Sequence, residues 1–221
     1  MSVEHLVIFG RPGSGKSSLA ERLGADFGFR LVRTGELLRE AVRRQDPLGL
    51  QVEAKLKSGQ LVADDLIGEL LESTLVAPGQ ERIIFDGFPR TLGQVSILDH
   101  LETKCHFLID RYVDIHVSLE LAAARMTGRR VCPKCAATYH RINRPPRIAE
   151  TCDIDGTALI SRSDDSPAVV AIRQEIYERH SGPLLDHYRH NTVDKFQEID
   201  GSGTFQEVYT ALCERLGLSG S

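Results

Sequence analysis

The stretch Gly10-Arg11-Pro12-Gly13-Ser14-Gly15-Lys16-Ser17 decides the fold of this 221-residue chain. It is the strict phosphate-loop pattern, and it stands between an apolar run at 5–9 and an amphipathic stretch that begins near Ser17. Glycines let successive backbone N–H groups point at a polyphosphate, and the N-terminus of the following helix adds partial positive charge. Lys16 can reach the terminal phosphates. The pattern therefore predicts a binding site for a nucleoside triphosphate.

Composition and charge restrict the class of protein. Hydrophobic residues make up 41% and charged residues 26% of the chain, and its length suits one α/β domain with insertions. No run approaches the roughly 18 apolar residues of a membrane span, and the segment before the first predicted strand leaves no room for a signal peptide. The net charge of −4 does not favour nucleic-acid binding, and five cysteines favour free or metal-bound thiols. We expect a cytoplasmic protein that binds neither nucleic acid nor membrane.

Apolar runs alternate with segments of helical period, which is typical of a parallel sheet flanked by helices. Two segments interrupt this alternation. Residues 33–62 read as two short helices broken at Asp46-Pro47, and residues 128–165 contain cysteines, prolines and short β-like pieces. Long excursions of this kind are more often functional lids than accidents. The predicted strands are 7–9, 30–32, 82–85, 112–117 and 196–199, and the last predicted helix is 204–216 with Thr204 as its N-cap.

A second motif, Asp86-Gly87-Phe88-Pro89-Arg90, follows the apolar strand 82–85 directly. An aspartate at the end of a strand beside a phosphate loop can hold magnesium through its waters, and Arg90 stands close enough to reach a phosphate. Asp-Gly is common in turns, so the motif alone is only moderately specific. Together with the phosphate loop it indicates a magnesium-dependent phosphate site.

The cysteine spacing predicts a metal site. Cys132-Pro133-Lys134-Cys135 is followed after sixteen residues by Cys152-Asp153-Ile154-Asp155, so two ligand pairs are separated by a loop of zinc-ribbon length. Asp155 stands where a fourth cysteine is usual, and aspartate is a competent zinc ligand. With four protein ligands, the zinc would be structural and closed to substrate.

Taken in order, these segments resemble the motifs of the adenylate kinases from about residue 5 to residue 216, and Asp-Gly-Phe-Pro-Arg is specific to nucleoside-monophosphate kinases. The resemblance implies a monomeric single domain over 1–221 with a five-stranded P-loop core, an AMP-binding flap at 33–62 and a zinc-bearing lid at 128–165. It implies reversible phosphoryl transfer from magnesium-bound ATP to AMP, which gives two ADP and serves adenine nucleotide homeostasis. The matching segments are 10–17, 34–39, 59–62, 86–90 with Gln94, 128–130 and 162–165.

The resemblance also assigns residues to the nucleotides. The catalytic cations would be Lys16, Arg90, Arg129, Arg162 and Arg173. ATP would contact Gly13, Ser14, Gly15, Lys16, Ser17, Ser18, Arg125, Arg129, Thr138, Tyr139 and Gly203. AMP would contact Thr34, Arg39, Gln60, Leu61, Val62, Gly87, Phe88, Pro89, Arg90, Gln94, Arg162 and Arg173, while Asp86 would hold magnesium through water. The resemblance places His140 in a lid segment near the donor nucleotide, so we leave it out of the zinc site.

Arginine suits such a site because its planar fork matches phosphate oxygens and it stays charged at any working pH. No general base stands out. None is required, because an AMP phosphate oxygen is already anionic and the transition state spreads charge over the equatorial oxygens.

The chain departs from the family pattern at three places. Ser17-Ser18 stands where Gly-Thr is usual, and either serine could supply the hydroxyl that magnesium-bound triphosphate needs. Arg11 replaces a small residue, either adding charge near the phosphates or pointing to solvent. Asn143 replaces an aromatic that would pack on the donor base, so the preference for ATP over GTP stays open.

Two other functions compete with this interpretation. In kinases that phosphorylate UMP and CMP, alanine usually stands where this chain has Thr34, and asparagine where it has Thr91. Gln94 and the long cysteine-bearing lid also favour AMP. A catalytically silent nucleotide-binding protein is the second alternative, but the intact Lys16, Asp86 and arginine set argue against it.

Overall fold

The computed structural model describes residues 3–75, 81–142 and 144–218, except for the side chain of Ser163. Its elements follow in chain order: β1 (His5–Phe9), α1 (Lys16–Phe27), β2 (Arg30–Arg33), α2 (Thr34–Arg44), α3 (Pro47–Ser58), α4 (Asp64–Leu75), β3 (Ile83–Asp86), α5 (Gly93–Cys105), β4 (Arg111–His116), α6 (Leu119–Thr127), β5 (Arg129–Val131), β6 (Thr138–His140), a 3-10 turn (Ser163–Asp165), α7 (Pro167–Asn191), β7 (Phe196–Asp200) and α8 (Phe205–Leu216).

The core is a five-stranded parallel sheet in the order β2-β3-β1-β4-β7 with helices on both faces. This confirms the predicted fold class, and each predicted strand agrees with an observed one to within two residues. The central strand β1 is apolar throughout because both of its faces are covered. Val7 and Phe9 pack into one apolar cluster, while Leu6 and Ile8 pack into the other.

The strand order indicates which edge of the sheet is suited to bind a ligand. The chain runs from β1 to β2 on one side of β1 and crosses later from β3 to β4 on the other side. Ligands of open parallel sheets bind beside such a switch point in strand order. The phosphate loop follows the carboxyl end of β1. Asp86 is the last residue of the adjacent β3 and pairs in register with Ile8. The two motifs found in the sequence therefore meet at one edge.

The two predicted excursions are helical and β-like, respectively. Within residues 33–62, the predicted flap, the chain breaks between α2 and α3 as predicted, because Asp46 caps α3 by accepting a hydrogen bond of 2.8 Å from Gly49 N–H. Within residues 128–165, the predicted lid, β5 and β6 form an antiparallel hairpin. Thr204 caps α8 as predicted, in a capping box with Glu207. No helix among the described residues is long and apolar enough to cross a membrane.

Close packing of α3 on α2 depends on Gly49. A Cβ atom there would lie 2.2 Å from the main-chain oxygen of Ala41, so the backbone of one helix would have to move. We expect Gly49→Ala to lower the free energy of unfolding by about 1–3 kcal/mol, the usual cost of overpacking. Gly68→Ala in α4 is the matched control, because a Cβ atom at Gly68 would meet only the side chain of Ile97, at an ordinary van der Waals distance of 3.4 Å. It should stabilise the protein by about 0.5–1 kcal/mol. Equal melting temperatures for the two variants would contradict this account.

Candidate active site

The phosphate loop takes backbone conformations that require glycine. Gly10, Gly13 and Gly15 have φ of 143°, 92° and 94°. A Cβ atom on Gly13 would lie 2.3 Å from the main-chain oxygen of Ala122, so α6 leaves no room for a side chain there. Lys16 begins α1, and its Nζ lies 3.4 Å from the main-chain oxygen of Arg11. The loop therefore turns its backbone around the N-terminus of α1, as an anion site requires.

Lys16 lies in an environment that disfavours its charge. Burial, with smaller contributions from Arg90, Arg173 and Arg129, lowers its pKa to about 8, and Asp86 opposes this shift. The buried carboxylate of Asp86 thus lies near Lys16, as the two motifs predicted. A phosphate group at this position would favour the charged lysine.

Three predicted arginines converge on two adjacent carboxylates. Arg129 makes a two-point contact with Asp165, whose Oδ2 accepts from Nε at 2.7 Å. Arg173 Nη1 donates to Asp164 Oδ2 at 3.0 Å and to Asp165 Oδ1 at 3.3 Å. Arg39 Nη1 lies 3.9 Å from Asp164 Oδ2. The sequence analysis gave these two aspartates no role, although they stand in one of the segments that match the family.

The cluster concentrates positive charge. Burial, with a smaller contribution from the neighbouring Arg129 and Arg39, lowers the pKa of Arg162 to about 9, and Asp164 and Asp165 oppose this shift. Burial likewise lowers the pKa of Arg173 to about 10. Both groups remain cations at neutral pH, but at an electrostatic cost that a bound polyanion would relieve.

Two neighbouring concavities share Arg90 and Arg173. The loop cleft lies between the phosphate loop and α7 and is lined by Gly10, Pro12 and Lys16. The flap cavity adjoins it. Its lining includes Thr34, Arg39, Gln60, Leu61, Val62, Gly87 and Gln94. Charged groups thus lie where the two spaces meet, between a phosphate-binding loop and a mainly uncharged chamber.

Two polar side chains characterise the flap cavity. The Thr34 hydroxyl is buried and has no hydrogen-bond partner among the described residues, so a ligand could satisfy it. Gln94 is 3% exposed; its Oε1 accepts from Arg90 N–H at 2.8 Å, and its Nε2 donates to Asp64 Oδ1 at 2.7 Å. Asp64 supports this cavity through Gln94 without lining it, and the sequence analysis missed it because only the tertiary structure brings α4 against Gln94.

The other residues predicted to contact nucleotides differ in whether their side chains line the site or are buried elsewhere. Arg125 joins two predicted ATP contacts, since it donates to Ser14 O at 3.3 Å and to Gly203 O at 3.3 Å. Phe88 is buried in the core and Tyr139 in the lid's own cluster, so these two could serve a nucleotide only through their main chains. Ser17 and Ser18 lie in the first turn of α1, Thr138 begins β6 and Pro89 lines the loop cleft. Asn143 lies outside the described residues.

The side chain of Arg11 packs against α7 and points neither into solvent nor toward Lys16. Its Nη2 forms an ion pair of 2.6 Å with Glu178, and its guanidinium lies 5.2 Å from the centre of the Tyr177 ring. Gln174 Nε2 donates to Pro12 O at 2.8 Å. Both contacts fasten the loop to α7, the helix that also carries Arg173.

The four predicted metal ligands come together in the lid. One ligand atom from each of Cys132, Cys135, Cys152 and Asp155 lies within 4.8 Å of the others. Cys135 Sγ is 3.5 Å from Cys152 Sγ, and Cys132 Sγ is 3.4 Å from an Asp155 oxygen. Tetrahedral zinc with Zn–S bonds of about 2.3 Å would need sulfur atoms about 3.8 Å apart. The donor set and spacing therefore fit zinc, and His140 lies outside this group, as predicted.

The two ligand turns have the same backbone design. Ala136 N–H donates to Cys132 O at 3.0 Å, and Gly156 N–H donates to Cys152 O at 3.0 Å. The residue after the second ligand has positive φ in both turns, 63° at Ala136 and 72° at Gly156. Asp155 therefore occupies the place that Cys135 occupies in the first turn.

Comparison with known proteins gives a consistent result. The family model for adenylate kinase matches residues 8–193. An adenylate kinase of Carboxydothermus hydrogenoformans is 37% identical over 208 residues, which cover 94% of this chain and 96% of the relative. One of Moorella thermoacetica is 38% identical over 213 residues, covering 96% and 97% respectively. One of Pyrococcus furiosus is 38% identical over 205 residues, covering 93% and 92%.

With this likeness over nearly its whole length, and with the phosphate loop, the Asp86–Arg90 motif and the arginine cluster gathered at one sheet edge, the chain belongs to the adenylate kinase family.

Proposed function

We propose that this protein transfers the terminal phosphoryl group of magnesium-bound ATP to AMP and reversibly gives two ADP. The observation that carries the proposal is the shared wall of the loop cleft and the flap cavity, where Arg90 and Arg173 face both spaces. Triphosphate held by the loop and monophosphate held in the flap cavity would bring their phosphates together at these cations.

The residues have distinct roles in this proposal. The loop backbone and Lys16 hold the triphosphate, while Arg39 and Arg90 hold the AMP phosphate. Arg129, Arg162 and Arg173 bridge the transferring group, where guanidinium forks match charge spread over its equatorial oxygens. Asp86 is a buried oxygen donor beside the loop and suits magnesium held through water, which would neutralise charge on the triphosphate.

Positioning and electrostatics carry the reaction, since the attacking AMP oxygen needs no base. Asp164 and Asp165 hold the arginines in place and would exchange them for phosphate oxygens when nucleotides bind. Lid closure would exclude water, which otherwise competes with AMP for the phosphoryl group. In this proposal the protein is a single domain over 1–221 with the flap at 33–62 and the lid at 128–165.

Structural zinc in the lid supports this closure. Among the described residues, the apolar cluster of the lid has four buried members, Cys132, Tyr139, Cys152 and Leu159, with Ala137 packed against them, which is too few to stabilise a fold of its size. The proposed ligands are Cys132, Cys135, Cys152 and Asp155. Thiolate ligands persist in a reducing compartment, which supports a cytoplasmic location, and the site needs residues from one chain only, which supports a monomer.

Acceptor choice tests the proposed function. Purified protein incubated with ATP and AMP should form ADP, measured by chromatography. We expect kcat/KM for AMP to exceed that for UMP, CMP and GMP at least tenfold, about 1.4 kcal/mol of differential transition-state binding. Comparable values for AMP and CMP would instead support the UMP/CMP kinase. Nucleotide binding without turnover would support the silent binding protein.

Lys16 should be required for turnover. Lys16→Met keeps the loop backbone but removes the flexible cation, and loss of one such contact typically costs about 10²–10³ in kcat. Lys55→Met, an exposed substitution on α3, is the control and should leave the rate unchanged. More than half of the wild-type activity in Lys16→Met would contradict the phosphate-loop assignment.

The rate should also depend on the ionisation of Lys16. Because its pKa lies at about 8 in the free protein, Lys16 loses its charge as pH rises through that value. The parameter kcat/KM for ATP reports the free enzyme, so it should be level below pH 8 and fall above it. The fall should be absent in Lys16→Met. A wild-type profile that stays level well above pH 8 would contradict the assignment.

Metal removal should destabilise the lid more than the core. Cys152→Ser should lower the zinc content from one ion per chain and lower the melting temperature, because the site forms only in the folded lid. Measurable phosphoryl transfer should remain at low temperature. Cys213→Ser, a half-buried thiol on α8, should leave the zinc content unchanged. No zinc in freshly purified reduced protein would contradict the structural role, as would loss of activity with intact stability.

A further inference from the structure

The amide of Gln94 is held from both ends. Its Oε1 accepts from the main-chain N–H of Arg90 at 2.8 Å, and its Nε2 donates to Asp64 Oδ1 at 2.7 Å. Thr91 Oγ1 donates to the second oxygen of Asp64 at 3.1 Å and accepts from Gln94 N–H at 3.2 Å. The four groups therefore form one connected network beneath the flap cavity.

These partners leave the amide one orientation. A main-chain N–H can only donate, and an ionised carboxylate can only accept. Rotation of the amide by 180° would set its NH₂ against the N–H of Arg90 and its oxygen against the carboxylate of Asp64. Both hydrogen bonds would be lost and two repulsive contacts would replace them. The assignment of oxygen and nitrogen in Gln94 thus follows from the chemistry of its neighbours.

We propose that Asp64 determines the base specificity of the acceptor site by fixing the Gln94 amide. This inference rests on the proposed function, which places AMP in the flap cavity. One N–H and one oxygen lone pair of the amide remain for a ligand. Adenine presents a ring nitrogen acceptor beside an amino donor, whereas guanine presents a ring N–H donor beside a carbonyl acceptor. A fixed amide matches one pattern only, while an amide free to rotate could match either.

Of the two groups that hold the Gln94 amide, only Asp64 can be changed by substitution, since the other is the main-chain N–H of Arg90. Asp64→Asn keeps the side-chain shape, but its amide can turn either an acceptor or a donor toward Gln94. The matched control is Asp65→Asn, which removes the same charge from the same first turn of α4 at an exposed position.

The readout is the ratio of kcat/KM for AMP to kcat/KM for GMP, measured with saturating ATP. We expect Asp64→Asn to lower this ratio at least tenfold, with an unchanged KM for ATP, and Asp65→Asn to preserve it. A merely structural role would lower both acceptor rates by the same factor, and that result would overturn the inference. Melting temperatures of the variants identify any general loss of folding.

A double-variant cycle tests whether Asp64 acts through Gln94. In a Gln94→Ala background, Asp64→Asn should leave the AMP:GMP ratio unchanged. A further tenfold decrease there would overturn the inference. Failure of the wild-type protein to make ADP from ATP and AMP would overturn the proposed function as well. AMP-selective wild-type protein with an unaltered ratio in Asp64→Asn would overturn the inference alone.

Discussion

The rest of this structure depends on one constraint, which is that several mutually repelling cations must be held close together at one edge of the sheet. Arg129 lies close enough to Lys16, Arg162 and Arg173 for its field to lower the pKa of all three. Partial burial strengthens this repulsion, because less water screens it. Carboxylates are therefore needed among the cations, and Asp86, Asp164 and Asp165 supply them. In the proposed function, phosphate oxygens of bound nucleotides would replace these carboxylate oxygens as partners of the cations.

The lid has to hold part of this cluster with little apolar burial of its own. Arg129 begins β5, and Arg162 follows the bridge in which Val131 and Ile160 exchange hydrogen bonds of 2.8 and 2.9 Å. The two ligand turns lie beyond this bridge and share one backbone design. Four ligands at one point can order such a segment where a hydrophobic core cannot. The proposed zinc would thus act on the reaction indirectly, through the position of two arginines.

The flap cavity uses a different principle from the charged junction. The base specificity that we propose would reside in a polar network, because the donor or acceptor character of each neighbour leaves one arrangement of the Gln94 amide. Asp64, Thr91 and the main chain of Arg90 support Gln94, and the buried Thr34 hydroxyl supplies a further polar group. In the proposed complex, charge would hold the phosphate groups at one end of the cavity, and oriented hydrogen bonds would select the base at the other.

The sequence by itself determined the features that depend on neighbours a few residues apart. The phosphate loop, the helix break at Asp46-Pro47, the capping box at Thr204 and the spacing of the metal ligands are local, so their chemistry is visible in the chain. The alternation of strands and helices also predicted the parallel sheet. Motif spacing then sufficed to recognise the family.

Only the tertiary structure decided which distant side chains would meet. Arg11 pairs with Glu178 and Gln94 with Asp64, partners that no local pattern connects. Phe88 and Tyr139 stand in segments predicted to bind nucleotides, yet their side chains are buried in the core and in the lid cluster. Asp164 and Asp165 carry no visible role until α7 and the lid bring arginines to them. Such contacts depend on the packing of whole elements, because burial and charge are set by everything that surrounds a group in space.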